Sequence, residues 1–490
     1  MKKSVAMLLL LALALSLCAC GATESAPTAP AETKPAPTVQ VVEGEPIEQL
    51  DDVSVYIPVT GEAIKLEELP AYVCSEGSSA NYKGSKKGRY GEKTYMLEKT
   101  DAASFLTYLN ALESDGWVQY SNSILDGTNL FATYTKGEGS LYCYYISAKN
   151  RAYICASPNQ NLEVRQQDNQ YEAVCEPQLT QIKMLAKEYQ GGMGYVLRLS
   201  DGRFIIIDGG YNENDFYHAQ YLYAMLQEQN VLDKITVAAW IITHPHGDHL
   251  GTAADFLRFY KPTQLDIQQM IFNFPTDEDI TTIEPEAMVN HPSYMPTFML
   301  ALESLWGHVP VTVCHTGQRY YFADATIEFL HTLEDFYPQT VVNLGTNNVN
   351  GASAIFTLEV GGQKTMFLGD SSVDCSKDLV KMWGNYLQSD IMQAAHHCQR
   401  GATVELYEAI DPTVVLAPLS AKSIKARSIL EYEATRWLWN NQSGNIKEII
   451  LSGWEQRTLV LPYTPAAGTE FFSNATSDPW ADAADQYQKK

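Results

Sequence analysis

Basic side chains are scarce in this chain of 490 residues, in which 34 Lys and Arg stand against 58 Asp and Glu, a formal net charge of −24. A surface this acidic repels polyanions at long range and lacks the basic stripe expected of a nucleic-acid binder. Long nucleic acids are therefore disfavoured as partners, whereas a few local lysines are enough to hold a small anionic substrate. The shares of 19% charged and 45% hydrophobic residues are those of a globular protein.

A hydrophobic run at the start of the chain is too short to cross a bilayer comfortably. It spans Val5–Leu17, follows Lys2 and Lys3, and is typical of an export signal. The run ends in LCACG over 17–21, which resembles a bacterial lipoprotein signal, with Cys20 as the acylated first residue after cleavage. An ordinary cleaved signal peptide with an incidental cysteine is the alternative. We expect an exported protein that acyl chains hold on the outer face of a bacterial membrane.

Composition divides the chain further. Ala, Pro, Thr and Glu dominate the stretch after Cys20, with almost no large apolar side chain, so this stretch cannot bury enough surface to fold. The remaining residues exceed the length of one typical domain. We predict a signal peptide over 1–19, a disordered tether over 20–50, a small α+β accessory domain over 51–158, a linker over 159–176, a larger α/β domain over 177–463 and a polar tail over 464–490.

Cysteine usage leaves the pairing in the accessory domain open. Seven cysteines remain once Cys18 is cleaved off and Cys20 is acylated, and this odd number excludes complete internal pairing. Cys143 and Cys155 lie on adjacent strand-like runs, where a short turn could set them opposite each other. The exported location permits a disulfide there, but a one-residue shift of register would place the two on opposite faces. No metal-type or nucleophile-type grouping is evident in this domain, so we expect an accessory role.

The segment 243–251, THPHGDHLG, contains three histidines and a carboxylate within six residues, directly after an apolar run that predicts a buried strand. Imidazole and carboxylate together suit zinc, manganese or iron. A loop at the carboxyl end of a strand can direct alternate side chains toward two neighbouring ions. The pattern predicts that His244 and His246 reach one metal, while Asp248 and His249 reach a second.

Three further motifs stand in a matching order around this segment. Asp208 ends a strand-like IIIDGG, Asp370 ends MFLGD, and the doublet His396 and His397 ends DIMQAAHH. Together the four motifs resemble the metallo-β-lactamase superfamily over Gln178–Pro462. The resemblance implies an αββα sandwich, preceded here by the small α+β domain, with its metals at one edge.

That resemblance assigns roles to the motif residues and implies two divalent metal ions, zinc by preference with manganese or iron as alternatives. Asp208 would brace the metal loop without binding metal, and Asp370 would bridge both ions. One histidine of the doublet would bind the second metal, since adjacent side chains leave a strand in opposite directions. We favour His397 as the ligand, with His396 near the metals or on the substrate.

The family's third motif, a single histidine that completes the first metal's ligands, is not evident. The interval contains histidines outside the usual glycine-containing turn, and these are His291, His308, His315 and His331. The chain instead has NNVNGAS over 347–353, which resembles the extracellular domain of DNA-internalisation competence proteins and surface phosphorylcholine esterases. This resemblance makes Asn348, Asn350 and Ser353 candidates for substrate or supporting contacts. Cys398 and Gln399 stand where competence-type relatives commonly have glycine and serine.

These features predict metal-assisted hydrolysis, in which Asp248 orients the attacking water and accepts its proton. A phosphodiester or phosphoester of a small or envelope-derived molecule is the first substrate class, because both similar branches act on such bonds. Hydrolysis of a β-lactam or thioester is also open, since fold does not dictate substrate. The alternatives are an extracellular nuclease related to DNA uptake and a metal-containing binding lipoprotein without turnover. We expect Met270–His315 to overhang the metals and shape the pocket.

Overall fold

The computed structural model describes residues 64–74, 80–183, 192–211, 217–283, 294–336, 349–420, 423, 428–454 and 456–472. The predicted signal peptide, Cys20, the tether, Asn348 and most of the polar tail lie outside these residues. The described residues belong to one compact unit. No helix among them is long and apolar enough to span a bilayer.

An antiparallel six-stranded sheet and one helix form the first part of the described chain. The strand order is β1-β2-β6-β5-β4-β3. The bounds are β1 Asn81–Lys87, β2 Lys93–Glu98, α1 Ala102–Ser114, β3 Val118–Leu125, β4 Asn129–Lys136, β5 Gly139–Ile146 and β6 Arg151–Ser157. Helix α1 begins after Asp101, whose carboxylate accepts a hydrogen bond from Ser104 N at 2.7 Å. Strands β1 and β2 were not predicted from the sequence.

The two faces of this sheet pack in different hydrophobic cores, and Cys143 and Cys155 lie on opposite faces. Cys143 lies opposite Ile154, whereas Cys155 lies opposite Tyr142. The one-residue offset places Cys143 in the core against α1 and Cys155 in the core shared with the second half of the chain. All seven cysteines after Cys20 are among the described residues, and none of them forms a disulfide.

The second sheet has eight strands in the order β13-β12-β10-β9-β8-β7-β21, with β11 also beside β10. Its strands are β7 Gln178–Gln181, β8 Gly194–Arg198, β9 Phe204–Asp208, β10 Ile235–Ile241, β11 Leu265–Ile267, β12 Met270–Ile271, β13 Val311–Thr312 and β21 Arg457–Val460. The helices on this side are α2 Tyr217–Gln229, α3 Gly247–Phe259, α4 Asp277–Ile283 and α5 Tyr294–Trp306. Strands β9, β10 and β12 run parallel to one another.

The third sheet has seven strands in sequential order from β14 to β20. Its strands are β14 Arg319–Phe322, β15 Ala325–His331, β16 Ile355–Val360, β17 Gln363–Phe367, β18 Ile391–Gln393, β19 Val414–Ala417 and β20 Glu448–Leu451. The helices on this side are α7 Val373–Trp383, α8 Val404–Ile410 and α9 Glu433–Trp439, whereas Leu333 and Phe336 of α6 Leu333–Phe336 belong to the core on the outer face of the second sheet. The strands β17 to β20 are parallel.

Three hydrophobic cores hold these layers together. Side chains of the second and third sheets share the central core, which includes Ile241 and Phe367. Helices α2, α3 and α5 cover the outer face of the second sheet, and α7, α8 and α9 cover the outer face of the third. The predicted αββα sandwich preceded by a small α+β part is confirmed.

This topology brings the sequence motifs to one edge of the sandwich. Asp208 ends β9, and His244 follows the parallel strand β10. Across the sandwich, Asp370 follows β17 and the histidine doublet follows the parallel strand β18. Because the carboxyl ends of parallel strands meet at the same edge of a sheet, four separate motifs converge there.

Candidate metal centre

The histidine-rich segment joins strand β10 directly to helix α3. His246 has an extended backbone and precedes the first helical residue, Gly247. Asp248 and His249 therefore lie on the first turn of this helix. The local positive potential of a helix N-terminus favours the Asp248 carboxylate at this position.

Four side chains form a tight group at this edge. The ligand atoms of Asp248, His249, Asp370 and His397 all lie within 4.8 Å of one another. His397 Nε2 is 3.1 Å from Asp248 Oδ2 and 3.3 Å from Asp370 Oδ2. His249 Nε2 is 3.1 Å from Asp370 Oδ1 and 3.3 Å from His397 Nε2. Ligands about 2.1 Å from a tetrahedral ion stand roughly 3.4 Å apart, so the group fits a divalent cation.

The other two histidines of the segment adjoin this group through Asp370. His244 Nε2 lies 3.1 Å from His246 Nδ1 and 4.0 Å from Asp370 Oδ2. Asp370 Oδ2 therefore lies near both His397 and His244, and Asp370 Oδ1 lies near His249. A carboxylate with imidazoles near both of its oxygens could bridge two ions.

Asp208 supports the segment from beneath without joining the four-residue group. It is fully buried, and its carboxylate accepts hydrogen bonds from Thr243 N at 2.7 Å and Thr243 Oγ1 at 2.8 Å. Its Oδ2 also lies 2.6 Å from His249 Nδ1. A proton held on Nδ1 leaves Nε2 as the metal-binding nitrogen, so Asp208 sets the tautomer of His249. The bracing role that the sequence resemblance implied for Asp208 stays a prediction, and these are the contacts through which it would act.

The histidine doublet is presented by a left-handed turn. Strand β18 ends at Gln393, and His396, His397 and Cys398 have φ of 49°, 51° and 57°. The two histidines therefore do not alternate across a strand, and our reason for separating them was wrong. Both imidazoles approach Asp370, since His396 Nε2 lies 3.8 Å and His397 Nε2 3.3 Å from its Oδ2. Such backbone conformations of non-glycine residues are costly and are typical of functional sites.

The second ring nitrogen of each histidine has its own partner. His397 Nδ1 lies 3.0 Å from the carbonyl oxygen of Pro418, a hydrogen bond that directs Nε2 to the centre. His396 Nδ1 lies 3.2 Å from the Arg400 carbonyl, and its Nε2 lies 3.2 Å from Asn350 Nδ2. The side chain of His396 is 24% exposed, whereas that of His397 is buried. His396 is thus the member of the doublet that solvent or substrate can reach.

Ser353 contacts the backbone that carries Asp370. Its Oγ accepts a hydrogen bond from Asp370 N at 3.2 Å, and Gly369 beside it has a φ of 52°. Gly369 also packs closely on Ser353, so this tight turn aims the Asp370 carboxylate. Of the three residues predicted around this loop, Asn350 contacts His396, Ser353 positions Asp370, and Asn348 lies outside the described residues.

Electrostatics in the metal-free protein hold protons at the centre. Burial disfavours the charge of His249, but the Asp370 and Asp208 carboxylates outweigh burial and raise its pKa well above its usual range. Burial acts likewise on His397, whose pKa the Asp370 and Asp248 carboxylates nevertheless raise to about 10. These two imidazoles hold protons that a divalent cation would displace.

Burial and neighbouring charges also shift the pKa values of the remaining ligand candidates. Burial, together with the neighbouring imidazoles, lowers the pKa of His244 well below its usual range. Burial opposes ionisation of Asp370, yet His249 and His397 hold its pKa well below its usual range. Burial opposes ionisation of Asp248 too, and its contact with His397 nonetheless lowers its pKa. Ionised carboxylates beside a neutral imidazole suit a metal site.

Two close contacts shape the rim of the centre. The Tyr294 ring, at the start of α5, packs on Gly247, where a Cβ atom would lie 2.7 Å from the ring. The Tyr294 hydroxyl donates a hydrogen bond to Tyr211 Oη at 3.2 Å. Part of the interval Met270–His315 therefore lies against the metal segment. A Cβ atom at Gly192 would lie 2.1 Å from the Asp248 carbonyl oxygen, so the chain at 192 also approaches this segment closely.

Other sequence candidates lie away from the centre. Cys398 is buried in the core beneath the third sheet, and burial raises the pKa of its thiol. His315 pairs with Glu334 elsewhere, and His331 ends β15. His291 lies outside the described residues. The supporting carbonyl of Pro418 could not be predicted from its residue type, because Pro418 contacts His397 through its backbone oxygen alone.

Comparison with known proteins finds a family match for part of the chain. Residues 191–416 match the family model of the metallo-beta-lactamase superfamily.

Individual relatives are distant. ComE operon protein 3 of Bacillus subtilis is 21% identical over 262 residues, which cover 50% of this chain and 30% of that protein, so the chain spans less than a third of the relative's length. Among solved structures, the metallo-beta-lactamase fold protein YhfI of Bacillus subtilis is 13% identical, with a TM-score of 0.33 over 58% of this chain and 99% of YhfI. CmlA, a diiron beta-hydroxylase of Streptomyces venezuelae, is 12% identical, with a TM-score of 0.33 over 59% of this chain and 55% of CmlA.

Proposed function

We propose that the protein is an exported lipoprotein metallohydrolase that cleaves a phosphodiester or phosphoester of a small or envelope-derived molecule. The observation that carries the hydrolase proposal is the convergence of Asp248, His249, Asp370 and His397 within 4.8 Å at the edge of a metallo-β-lactamase fold. Lipid attachment at Cys20 and the outer membrane face as location rest on the sequence pattern at residues 17–21.

Two divalent cations, zinc by preference, would supply a water of lowered pKa and would stabilise the negative charge that develops on the substrate. His244 and His246 would hold one ion, and Asp248, His249 and His397 the other, with Asp370 between them. Nitrogen and carboxylate ligands in this ratio suit zinc, and also manganese or iron.

Side chains of the protein would supply proton transfer and contact with the substrate. Asp248 is the natural proton acceptor, because its side chain is 30% exposed while its partner His397 is buried. An ionised carboxylate at the open side of the centre can orient a water molecule and accept its proton. His396, also partly exposed, lies beside Asp370 at the open side of the centre, where its ring can contact a substrate. Asn350 holds the imidazole of His396 in place.

The substrate class rests on charge and on resemblance. Without the signal peptide, which contains Lys2 and Lys3, the chain carries 32 basic and 58 acidic residues, so its net charge is 32 − 58 = −26. Such a charge favours a small or zwitterionic phosphoester over a long nucleic acid, whose approach the protein would oppose. The NNVNGAS segment over 347–353 supports the same class, because the branches it resembles act on phosphoester bonds.

A substrate panel tests this proposal. The zinc- or manganese-loaded protein is assayed on chromogenic phosphodiesters, phosphomonoesters and β-lactams, beside a DNA degradation assay. We expect phosphodiester or phosphomonoester turnover, which His246→Ala and Asp248→Ala abolish while lowering bound metal. Asp324→Asn, which alters a carboxylate that accepts a hydrogen bond from Ser200 N, is the matched control and should retain full activity.

The other outcomes assign the alternatives. Degradation of DNA without turnover of small esters would indicate the nuclease. Metal binding with no turnover of any substrate in the panel would favour a binding lipoprotein. Full activity in His246→Ala or Asp248→Ala would refute the dinuclear mechanism.

A further inference from the structure

A second group of metal-type side chains lies where the N-terminal sheet meets the rest of the protein. Cys155 comes from β6, His315 follows β13, and Glu334 lies on α6. Their ligand atoms all lie within 4.8 Å of one another. All three residues are 3% exposed or less. These residues come from three distant segments, and they are separate from the candidate centre described above.

We propose that Cys155, His315 and Glu334 bind a single zinc-type divalent cation that joins the N-terminal sheet to the metallo-β-lactamase domain. A thiolate, an imidazole and a carboxylate are the three ligand types that zinc uses in proteins. The sulfur ligand distinguishes this site from magnesium and calcium sites, which are built from oxygen.

Hydrogen bonds and ring stacking fix the orientations of Glu334 and His315. The Glu334 carboxylate accepts hydrogen bonds from Asn273 Nδ2 at 2.9 Å and from Thr332 Oγ1 at 2.5 Å. His315 Nδ1 lies 2.6 Å from Glu334 Oε1, a direct hydrogen bond between two of the proposed ligands that a bound ion would replace. The His315 ring stacks on Tyr142, with centroids 5.4 Å apart and an angle of 11° between the planes. Such contacts fix ligand orientation before an ion arrives.

The local charge also favours a cation. Glu92 is buried at the same contact, and burial raises the pKa of its carboxyl. Among the residues that the structure describes, His315 is the only cation-forming side chain within ion-pair distance of Glu334. Burial thus favours the uncharged form of Glu92, so Glu334 is the acidic group that pairs with His315 in this region closed to water. A divalent ion bound by Glu334 and a Cys155 thiolate would balance their negative charge.

Binding would couple to protonation and to the packing of the two parts. Binding would form the sulfur–metal bond while the thiol proton leaves to solvent. Because Cys155 and the other two ligands come from opposite sides of the contact, the ion would strengthen their association.

Cobalt substitution tests this site independently of the proposed function. The full chain is stripped of metal, loaded with Co²⁺ and examined for the sulfur-to-cobalt charge-transfer band in the near ultraviolet. The candidate dinuclear centre contains no cysteine, so this band reports only the Cys155 site. We expect the band in the wild type, its loss in Cys155→Ser together with one metal equivalent per chain, and its weakening in Glu334→Gln.

Two matched variants complete the experiment. Cys143→Ser changes the neighbouring strand's cysteine on the opposite face and should keep the band, and Asp248→Ala should keep it while losing hydrolysis. A wild-type protein that binds Co²⁺ without the band would overturn the inference even if Cys155→Ser fails to fold. A band that persists in folded Cys155→Ser would overturn it as well. If the wild type shows the band but hydrolyses nothing, only the proposed function fails.

Discussion

Replacing Asp208 with Asn should remove one metal from the dinuclear centre while leaving the fold intact. The Asp208 carboxylate meets Thr243 N, Thr243 Oγ1 and His249 Nδ1 at 2.7, 2.8 and 2.6 Å. An amide keeps the acceptor for Thr243 N, and the threonine hydroxyl can rotate to accept from the amide NH₂. His249 Nδ1 has no such freedom, since it would have to accept a hydrogen bond and place its proton on Nε2. The metal-binding nitrogen of His249 would then be blocked.

The expected magnitude follows from this tautomer change. Loss of a partner that orients a metal ligand costs roughly 10- to 100-fold in metal affinity, or about 1.4 to 2.8 kcal/mol. The cost should fall on the ion held by Asp248, His249 and His397. Asp208 has a φ of 52°, a left-handed conformation that Asn tolerates well, so the metal-free variant should fold normally.

The assay is a competitive zinc titration against a chelator, combined with urea unfolding of the metal-free protein. Asp208→Ala serves as the contrast, because it leaves three buried donors without an acceptor at about 1–3 kcal/mol each and strains the backbone as well. We expect Asp208→Ala to lose both stability and metal, whereas Asp208→Asn loses metal affinity alone. Wild-type affinity for both ions in Asp208→Asn would refute the role assigned to this carboxylate.

Further substitutions probe the rim of the centre and the buried polar groups. Gly192→Ala should lower both metal affinity and hydrolysis, because its Cβ atom would lie 2.1 Å from the Asp248 carbonyl oxygen; metal titration and an activity assay check this. Tyr294→Ala should raise KM with metal content unchanged, whereas Tyr294→Phe keeps the ring on Gly247 and should match the wild type in steady-state kinetics. Burial lowers the pKa of His331 below its usual 6.5, so folding excludes a proton that the unfolded chain binds. The stability that His331 contributes is present above about pH 6.5 and is lost as the pH falls through the lowered pKa. Urea unfolding should therefore show that the free energy of unfolding falls less between pH 8 and pH 5 in His331→Gln than in the wild type.

Much of the candidate centre could be predicted because each motif is contiguous and follows a strand. Asp208, the segment from His244 to His249, and Asp370 all stand directly after apolar runs in the sequence. The carboxyl ends of those strands meet at one edge, so local patterns were enough to indicate a shared site.

What could not be predicted depends on the path of the backbone. The left-handed turn at His396 and His397 replaces the expected alternation across a strand. The Pro418 carbonyl, directly after β19, supports His397. Strand β1 gave little hydrophobic signal, because it is NYKGSKK, with Gly84 and three lysines.

The group formed by Cys155, His315 and Glu334 could not be predicted from local sequence patterns. Cys155, His315 and Glu334 are far apart in sequence, and each is unremarkable by itself. Only the packing of the N-terminal sheet against the second half of the chain brings them together. The same packing decides that Cys155 and Cys143 face different cores, which the turn between their strands could not specify.

An anomalous difference map from crystals of the zinc-loaded protein would show directly whether the centre is dinuclear. We expect two strong peaks about 3.5–4 Å apart at the carboxyl ends of β10, β17 and β18, with Asp370 between them. Asp370→Asn crystals should show both peaks weakened. A map from the zinc-loaded wild type without density among Asp248, His249, Asp370 and His397 would contradict the dinuclear centre and the hydrolase proposal built on it.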